Sequence, residues 1–380
     1  MKILRAFKTE LDLNNKQRTA CMRHAGTARF AYNWGLERKI TAYQAGEKTP
    51  SAIDLHREHN RLKKTEFSWM YEVSKCAPQE ALRDLDKAFS HFFRRMKEKK
   101  SGKNIKVGFP RFKSKKRGLG GFRLTGAIRI FDTHIQLPRL GVLRLKEKGY
   151  LPDTGVHILN ATVSERAGRW FVSVQVEMEI PDPEPVEKPV AGVDLGINRL
   201  AQVSDGTTFE NPRALKKAQR KLKRLQRVVS RRQKGSANRQ KAVRQLARAH
   251  LRVANIRKNA LHQATTYLTR HKSAVVLEDL NVSGMLKNHH LAQAIADVGM
   301  HEFRRQLQYT ILAQGKGQWY GCEVFLADRF FPSSKQCSRC GTVKDSLGLG
   351  QRTYHCENCG LVIDRDWNAA LNLEQLLTVS

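Results

Sequence analysis

The chain has 380 residues, enough for two or three domains with cores of their own. Its 69 Lys and Arg against 35 Asp and Glu leave a formal net charge of +34, an excess that repels itself unless a polyanion is the usual partner. A hydrophobic content of 40% excludes a disordered basic tail, and no apolar run approaches the roughly 20 residues of a membrane helix.

Nucleic acid is the expected polyanion, because every neutralised phosphate releases counterions. A membrane surface is the competing partner, but the sequence has no amphipathic anchor or lipidation motif. The N-terminal MKILRAFKTELDL lacks the continuous apolar stretch of a secretory signal. Seven cysteines, four of them in CxxC pairs, suit a reducing compartment better than a disulfide framework. Cys21, Cys76 and Cys322 are left over and read as buried thiols.

In chain order, KILRAFK reads as a short strand. Residues 14–45 read as a helix capped by Asn14 or Asn15, with Cys21, Ala25, Ala28, Tyr32 and Leu36 near helical spacing. A second helix over 78–99 lines up Leu82, Leu85, Phe89, Phe92, Phe93 and Met96. The loop KVGFPRFKSKKRG (106–118) sets Phe109 and Phe112 among Arg111, Lys113, Lys115 and Lys116. Its aromatics could stack bases while the cations hold a backbone, or merely anchor a solvated loop. From 122 to 180 the period becomes two. AIRIFDTHIQL alternates, and Val172, Val174, Val176, Met178 and Ile180 share one face after the turn RAGR at 166–169. This predicts a small antiparallel sheet or barrel that the N-terminal strand joins.

PDPEPVEKPV (181–190) carries four prolines and marks the expected domain boundary. AGVDLGINRLAQVSDG then reads as strand, tight turn, strand. Residues 211–277 hold 20 Lys and Arg and no acid, and read as an αα-hairpin. Leu215, Leu222, Leu225 and Val229 form one stripe, Val243, Leu246, Val253 and Ile256 the other. Its candidate phosphate contacts are Arg220, Lys221, Arg224, Arg227, Arg231 and Arg232. SAVVLEDLNV predicts a buried strand ending in two acids, 289–315 a return to helix, and GCEVFLADR another strand. Strands and helices alternating after 190 point to an α/β core.

Cys337, Cys340, Cys356 and Cys359 form two CxxC pairs with fifteen residues between them, each pair followed by a glycine. That spacing fits one tetrahedral Zn²⁺, and four thiolates leave no open position for substrate, so the site is structural. His355 beside it reads as a surface residue.

Carboxylates stand where strands or strand ends are expected: Asp194 in GVDLG, Glu278 beside Asp279 in LEDL, and Asp364 with Asp366 in DRDW. A buried acid among apolar residues is costly unless it binds something. Separate carboxylates converging on one point suit hard divalent ions such as Mg²⁺, and a pair of these hydrolyses phosphodiesters. Of Glu278 and Asp279 only one can face a common site, because neighbouring strand residues point opposite ways.

GVDLGI, LEDLNVSGM, FPSSKQCSRCG, YHCENCG and DRDWNAALNL together resemble the TnpB family of transposon-encoded RNA-guided nucleases, relatives of type V CRISPR effectors. The likeness runs over nearly the whole chain, with its most specific motifs at the C-terminal end. It implies a multidomain α/β plus β-barrel architecture: a wedge-type barrel (1–10 and 119–182), a helical recognition insert (11–118), and a RuvC nuclease of RNase H fold (183–332 and 363–380) interrupted by the zinc ribbon (333–362). It selects Asp194, Glu278 and Asp366 as the catalytic acids holding two Mg²⁺, with Asp364 as runner-up, and residues 285–306 as a lid. The implied partners are a guide RNA from the transposon end and double-stranded target DNA cut beside a short adjacent motif. The implied setting is the prokaryotic cytoplasm, at the nucleoid. A catalytically silent RNA-guided regulator and an unguided transposition accessory factor are the alternatives.

Overall fold

The computed structural model describes residues 1–118, 120–182, 188–308, 319–348 and 350–378. They fall into two compact units, Lys2–Glu179 and Ile180–Ser380 with Met1. Residues 183–187 of the expected proline-rich boundary, and 309–315 of the expected 289–315 helix, lie outside the described residues.

In the N-terminal unit, strand β1 (Lys2–Asp12) leads into α1 (Asn15–Gln44). Asn14 is the cap: its Oδ1 accepts from Gln17 N at 2.9 Å, and its own N–H donates back to Gln17 Oε1. Cys21, Ala25, Ala28, Tyr32 and Leu36 are all buried on one stripe. Helices α2 (Ala52–Leu62) and α3 (Cys76–Lys100) pack against it through Leu55, Leu82 and Leu85. The distal aromatics of α3 leave this core. Phe89, still packed on that core, begins a string of ring contacts through Phe92 and Phe93 that takes in Phe109 edge-on and so ties down the basic loop; Phe109 and Phe112 are both half exposed. Asn33 pins the same loop, bonding Lys113 N and O like a strand neighbour.

Strands β2 (Gly121–Leu124), β3 (Arg129–Ile130), β4 (His134–Leu137), β5 (Gly141–Leu145), β6 (Val156–Arg166) and β7 (Arg169–Glu179) complete an antiparallel sheet in the order β2-β6-β7-β1-β5-β4-β3. Among the described residues no ladder joins β2 to β3, so hydrogen bonds do not close this sheet. AIRIFDTHIQL is a hairpin, not one strand: Phe131 N donates to His134 O, turning β3 back on β4. Val172, Val174 and Val176 are fully buried on β7, while Ile180 lies beyond the strand's end.

The C-terminal unit is built on a five-stranded sheet, order β10-β9-β8-β11-β12. Strands β8 (Ala191–Asp194), β9 (Arg199–Val203) and β10 (Thr208–Glu210) pair antiparallel with one another in turn; β11 (Ala274–Leu277) and β12 (Glu323–Leu326) run parallel to β8. Between β10 and β11 stands the hairpin of α4 (Ala214–Arg231) and α5 (Ala237–His271). Its seam joins Ala214, Ala218 and Leu222 to Leu246, Ala249 and Val253. Val243 and Ile256, expected in that seam, are each 41% exposed. Val243 lies about 100° round the helix from the buried Ala242, and Ile256 about 60° off the line of Val253. Short helices α6 (Val282–Met285), α7 (Ala292–Val298) and α8 (Met300–Leu307) follow β11. After β12 come the two-stranded ribbon of β13 (Thr353–His355) and β14 (Val362–Asp364), then α9 (Arg365–Thr378). No described helix is long and apolar enough to cross a membrane. The three spare cysteines are buried thiols.

Candidate active site and metal centre

Parallel pairing aligns Leu277 with Val193, so the chain leaves β11 at Glu278 level with Asp194 at the end of β8. Both acids thus emerge at the carboxyl edge of the parallel strands, where open α/β sheets place their ligands. Asp366 arrives on the first turn of α9. That helix lies unusually close to β8: a Cβ on Gly192 would sit 1.9 Å from Ala370 O and 2.5 Å from Glu374 N. The missing side chain at Gly192 is what lets the third acid approach the first.

The three carboxylates feel one another. The Asp194 carboxyl is pushed well above the usual carboxylate range, by burial first and then by the charges of Glu278 and Asp366, with Arg365 pulling the other way. Burial also raises Glu278, helped by Asp366 and opposed by the Ser333 hydroxyl, which donates to Glu278 Oε1. Asp366 is bridged by Arg365, Nη2 to Oδ1 at 3.1 Å. Like charges crowded in a half-buried cleft favour a multivalent counter-ion, and an all-oxygen donor set suits a hard one.

The neighbouring acids are engaged elsewhere. Asp364 caps α9, its Oδ1 accepting from Asp366 N and Trp367 N at 3.0 and 3.1 Å while Oδ2 pairs with Arg199. Asp279 turns away from Glu278 and receives Arg304 Nη1 on one oxygen at 2.6 Å and Arg329 on the other.

Among the described residues, Cys337, Cys340, Cys356 and Cys359 are the group of potential metal ligands whose donor atoms all lie within 4.8 Å of one another. Each CxxC closes the same way: Gly341 N donates to Cys337 O and Gly360 N to Cys356 O, both at 3.0 Å. The turns need positive φ, 76° and 70°, which glycine adopts without strain. Tyr354 is buried beneath the sulfurs and His355 is exposed. Four soft thiolates at this spacing could hold one Zn²⁺.

Sequence reasoning missed the residues that join the two centres. Asn368 Nδ2 and Asn372 Nδ2 donate to Gln336 O, Asn372 also to Ser333 O, and Asn368 Oδ1 accepts from Ser338 N. Both asparagines are buried. One face of α9 therefore clasps the backbone of 333–338, which carries Ser333 at one end and Cys337 near the other. The signal was present as two asparagines four residues apart in NAALN, but their partners lie 30 to 39 residues upstream.

All ten basic candidates are exposed. Arg220, Lys221, Arg224, Arg227, Arg231 and Arg232 lie on α4 and its end. Arg111, Lys115 and Lys116 are on the N-terminal loop, where Lys113 instead sets its ammonium 3.8 Å from the centre of the Tyr32 ring.

Residues 173–289 match the family model described as "Probable transposase", residues 301–373 a "Cas12f1-like, TNB domain", and residues 1–48 a "Helix-turn-helix domain". A Streptomyces pristinaespiralis protein provisionally named an RNA-guided DNA endonuclease is 37% identical over 98% of this chain and 89% of its own. Its Escherichia coli K12 counterpart InsQ, under the same provisional name, is 34% identical over 98% and 92%. The solved mini-RNA-guided endonuclease CRISPR-Cas phi3 aligns over 99% of this chain and 92% of its own at 9% identity, with a TM-score of 0.48, too loose to add weight. Relatives this similar along almost the whole sequence establish that the chain belongs to the TnpB family.

Proposed function

We propose that this protein is an RNA-guided DNA endonuclease encoded by a transposon, cutting phosphodiesters at the carboxyl edge of the C-terminal sheet. What supports the reading is that Asp194, Glu278 and Asp366, from three separate segments, lie near enough for the charges of Glu278 and Asp366 to raise Asp194 and for that of Asp366 to raise Glu278. The sheet, three antiparallel strands followed by two parallel to the first, supports assigning residues 183–332 and 363–380 to a RuvC nuclease of RNase H fold. On the same reading 333–362 is a zinc ribbon, the N-terminal sheet a wedge-type barrel with an open seam, and 11–118 its recognition insert. The three acids would hold two Mg²⁺ ions, which supply an activated water and stabilise the leaving oxygen. Ser333 orients Glu278 through its hydroxyl, Arg365 holds Asp366 beside the backbone turn that Asp364 caps, and the four cysteines would hold a structural Zn²⁺. The exposed cations of α4 serve the backbone of a guide RNA and its paired DNA strand, with sequence read by base pairing. Residues 285–306 would cover the cleft as a lid.

The test is to express the protein with its downstream DNA, sequence the RNA that co-purifies, and offer plasmids matching that RNA's 3′ segment beside a randomised flank. Guided cutting by the wild type, and at least a thousand-fold loss in Asp194→Ala with RNA binding intact, is the expected result. RNA-dependent binding without cutting would establish the silent regulator, and cutting without RNA the unguided accessory factor.

A further inference from the structure

A pocket of about 400 Å³ opens beside Glu278, with Asp279, Arg304 and Arg329 in its wall. The segment leaving β12 along its rim is fixed residue by residue. Asp328 Oδ1 accepts from Phe330 N at 2.8 Å and its carbonyl from Phe331 N at 3.1 Å, closing a tight turn. Arg329 bonds Asp279 from that turn. Phe331 packs inward against the core of Val276, Ala327 and Leu373, and Ser333 donates to Glu278. Between these anchored neighbours, Phe330 is 87% exposed.

A large apolar side chain presented to solvent from a turn with no slack does nothing for the fold. Burying that ring would have stabilised the protein, and exposing it forgoes that gain. Its surroundings define what fits it. Two guanidiniums share the Asp279 carboxylate, leaving further N–H donors at the pocket wall. Arg304 spends Nε on Gln308, but the Arg329 side chain is half exposed and touches Asp279 through one nitrogen. A cation for a phosphate next to a bare ring for a base, set beside clustered carboxylates, is the pattern of a single-strand grip. A base within a duplex already has its faces covered, so the occupant is unpaired.

Building on the endonuclease reading, we propose that Phe330 stacks an unpaired base of the DNA strand being cut, and that Arg329 with Arg304 takes the adjoining phosphate. Asp279 is the positioning residue that holds the two guanidiniums side by side. This gives the second acid of LEDL a task distinct from that of Glu278, and fixes where along the strand the phosphodiester meets the carboxylates.

Single-turnover cleavage of a guided target carrying one abasic nucleotide, walked across the cut site, tests the grip. Phe330→Ala is expected to cut about ten-fold more slowly, within the range that loss of one stacked base produces, with unchanged Tm and with Phe330→Trp restoring the rate. At one position the abasic nucleotide should slow the wild type as much, and leave Phe330→Ala no slower. Asp279→Asn should raise the half-saturating target concentration and blur the cut position. Additive effects at every position, or a Phe330→Ala variant that cuts like the wild type, overturn the proposal. A second arm needs no cleavage. Single-stranded DNA carrying 5-iododeoxyuridine, bound to Asp194→Ala with its RNA, should crosslink to Phe330 on irradiation. Crosslinks mapping only elsewhere overturn the grip. A wild type that cuts no guided target counts against the endonuclease reading, and the crosslink then decides the grip alone.

Discussion

Gly192 has no room for a methyl group, since a Cβ there would overlap the backbone of α9 at Ala370 and Glu374. Backbone cannot swing aside as a side-chain tip can, so Gly192→Ala must displace the helix that carries Asp366. The expected cost is about 3 kcal/mol of stability, with cleavage falling at least a hundred-fold. Gly26 of α1, where a Cβ meets nothing within 4 Å, is the control: Gly26→Ala should leave activity alone and raise Tm slightly. Buried histidines offer a second residue-scale prediction. His24 has a partner at each nitrogen, Ala20 O at 2.8 Å and Ser74 N at 3.0 Å. His59 has none, and sits against the rings of Trp34 and Phe67. Burial, then the charges of Lys63 and His56, lowers its pKa to about 4. The unfolded chain takes up the same proton near pH 6.5, so this contribution to stability is complete above that pH and drains away as pH falls toward 4. Thermal melts of His59→Phe against the wild type should diverge over that window, reaching about 3 kcal/mol in favour of the variant near pH 4. Parallel curves would clear His59 as the source.

At the scale of elements, α9 is shared by the two centres. Its first turn carries Asp366, its cap is the end of β14, and its asparagines grip the segment between Ser333 and Ser338. Damage to either centre should therefore reach the other. Asn372→Ala takes from Ser333 O its Asn372 donor, at about 1–3 kcal/mol, and leaves Gln336 O to Asn368. We expect it to lower cleavage about ten-fold and to loosen the metal. Chelation, followed with a colorimetric zinc indicator, should release one Zn²⁺ per chain and abolish cleavage, whereas Asp194→Ala should retain that zinc. An activity that survives complete loss of zinc would show that the ribbon does not brace Glu278.

For the whole molecule the net charge of +34 is the governing number. Neutralising phosphates makes affinity fall with salt at a slope of about −0.9 per contact. Five contacts then lose about 500-fold between 50 and 200 mM salt. Replacing Arg220, Lys221, Arg224 and Arg227 together by alanine should reduce the magnitude of the measured slope by up to about 4 without changing Tm, because all four side chains are exposed. A slope unchanged in that variant would move the phosphate contacts off the face of α4. Both units carry their own core, so the variant's effect on binding is separable from the fold of the N-terminal sheet.

What the sequence determined by itself was whatever spacing along the chain encodes. The CxxC bite, the capping pattern at Asn14–Gln17, the stripe of α1 and the alternation of β7 are local geometry, with ligands, caps and faces set by residues a few positions apart. The acid-free run over 211–277 needed no fold to be read as a cationic hairpin. Tertiary structure gives different surroundings to neighbours that spacing cannot separate and that only the family likeness had told apart. Glu278 leaves its strand level with Asp194 because β11 pairs in parallel register with β8, a pairing between residues more than 80 apart, while Asp279 meets two arginines. Asp364 becomes a cap and Asp366 enters the cleft because α9 starts between them and lies on Gly192. The same limit hid Ser333, Asn368 and Asn372, whose partners are distant, and put Val243 outside a seam where its apolar character had placed it. A side chain's direction is fixed by the element it packs against, and which element that is depends on contacts a linear pattern does not contain.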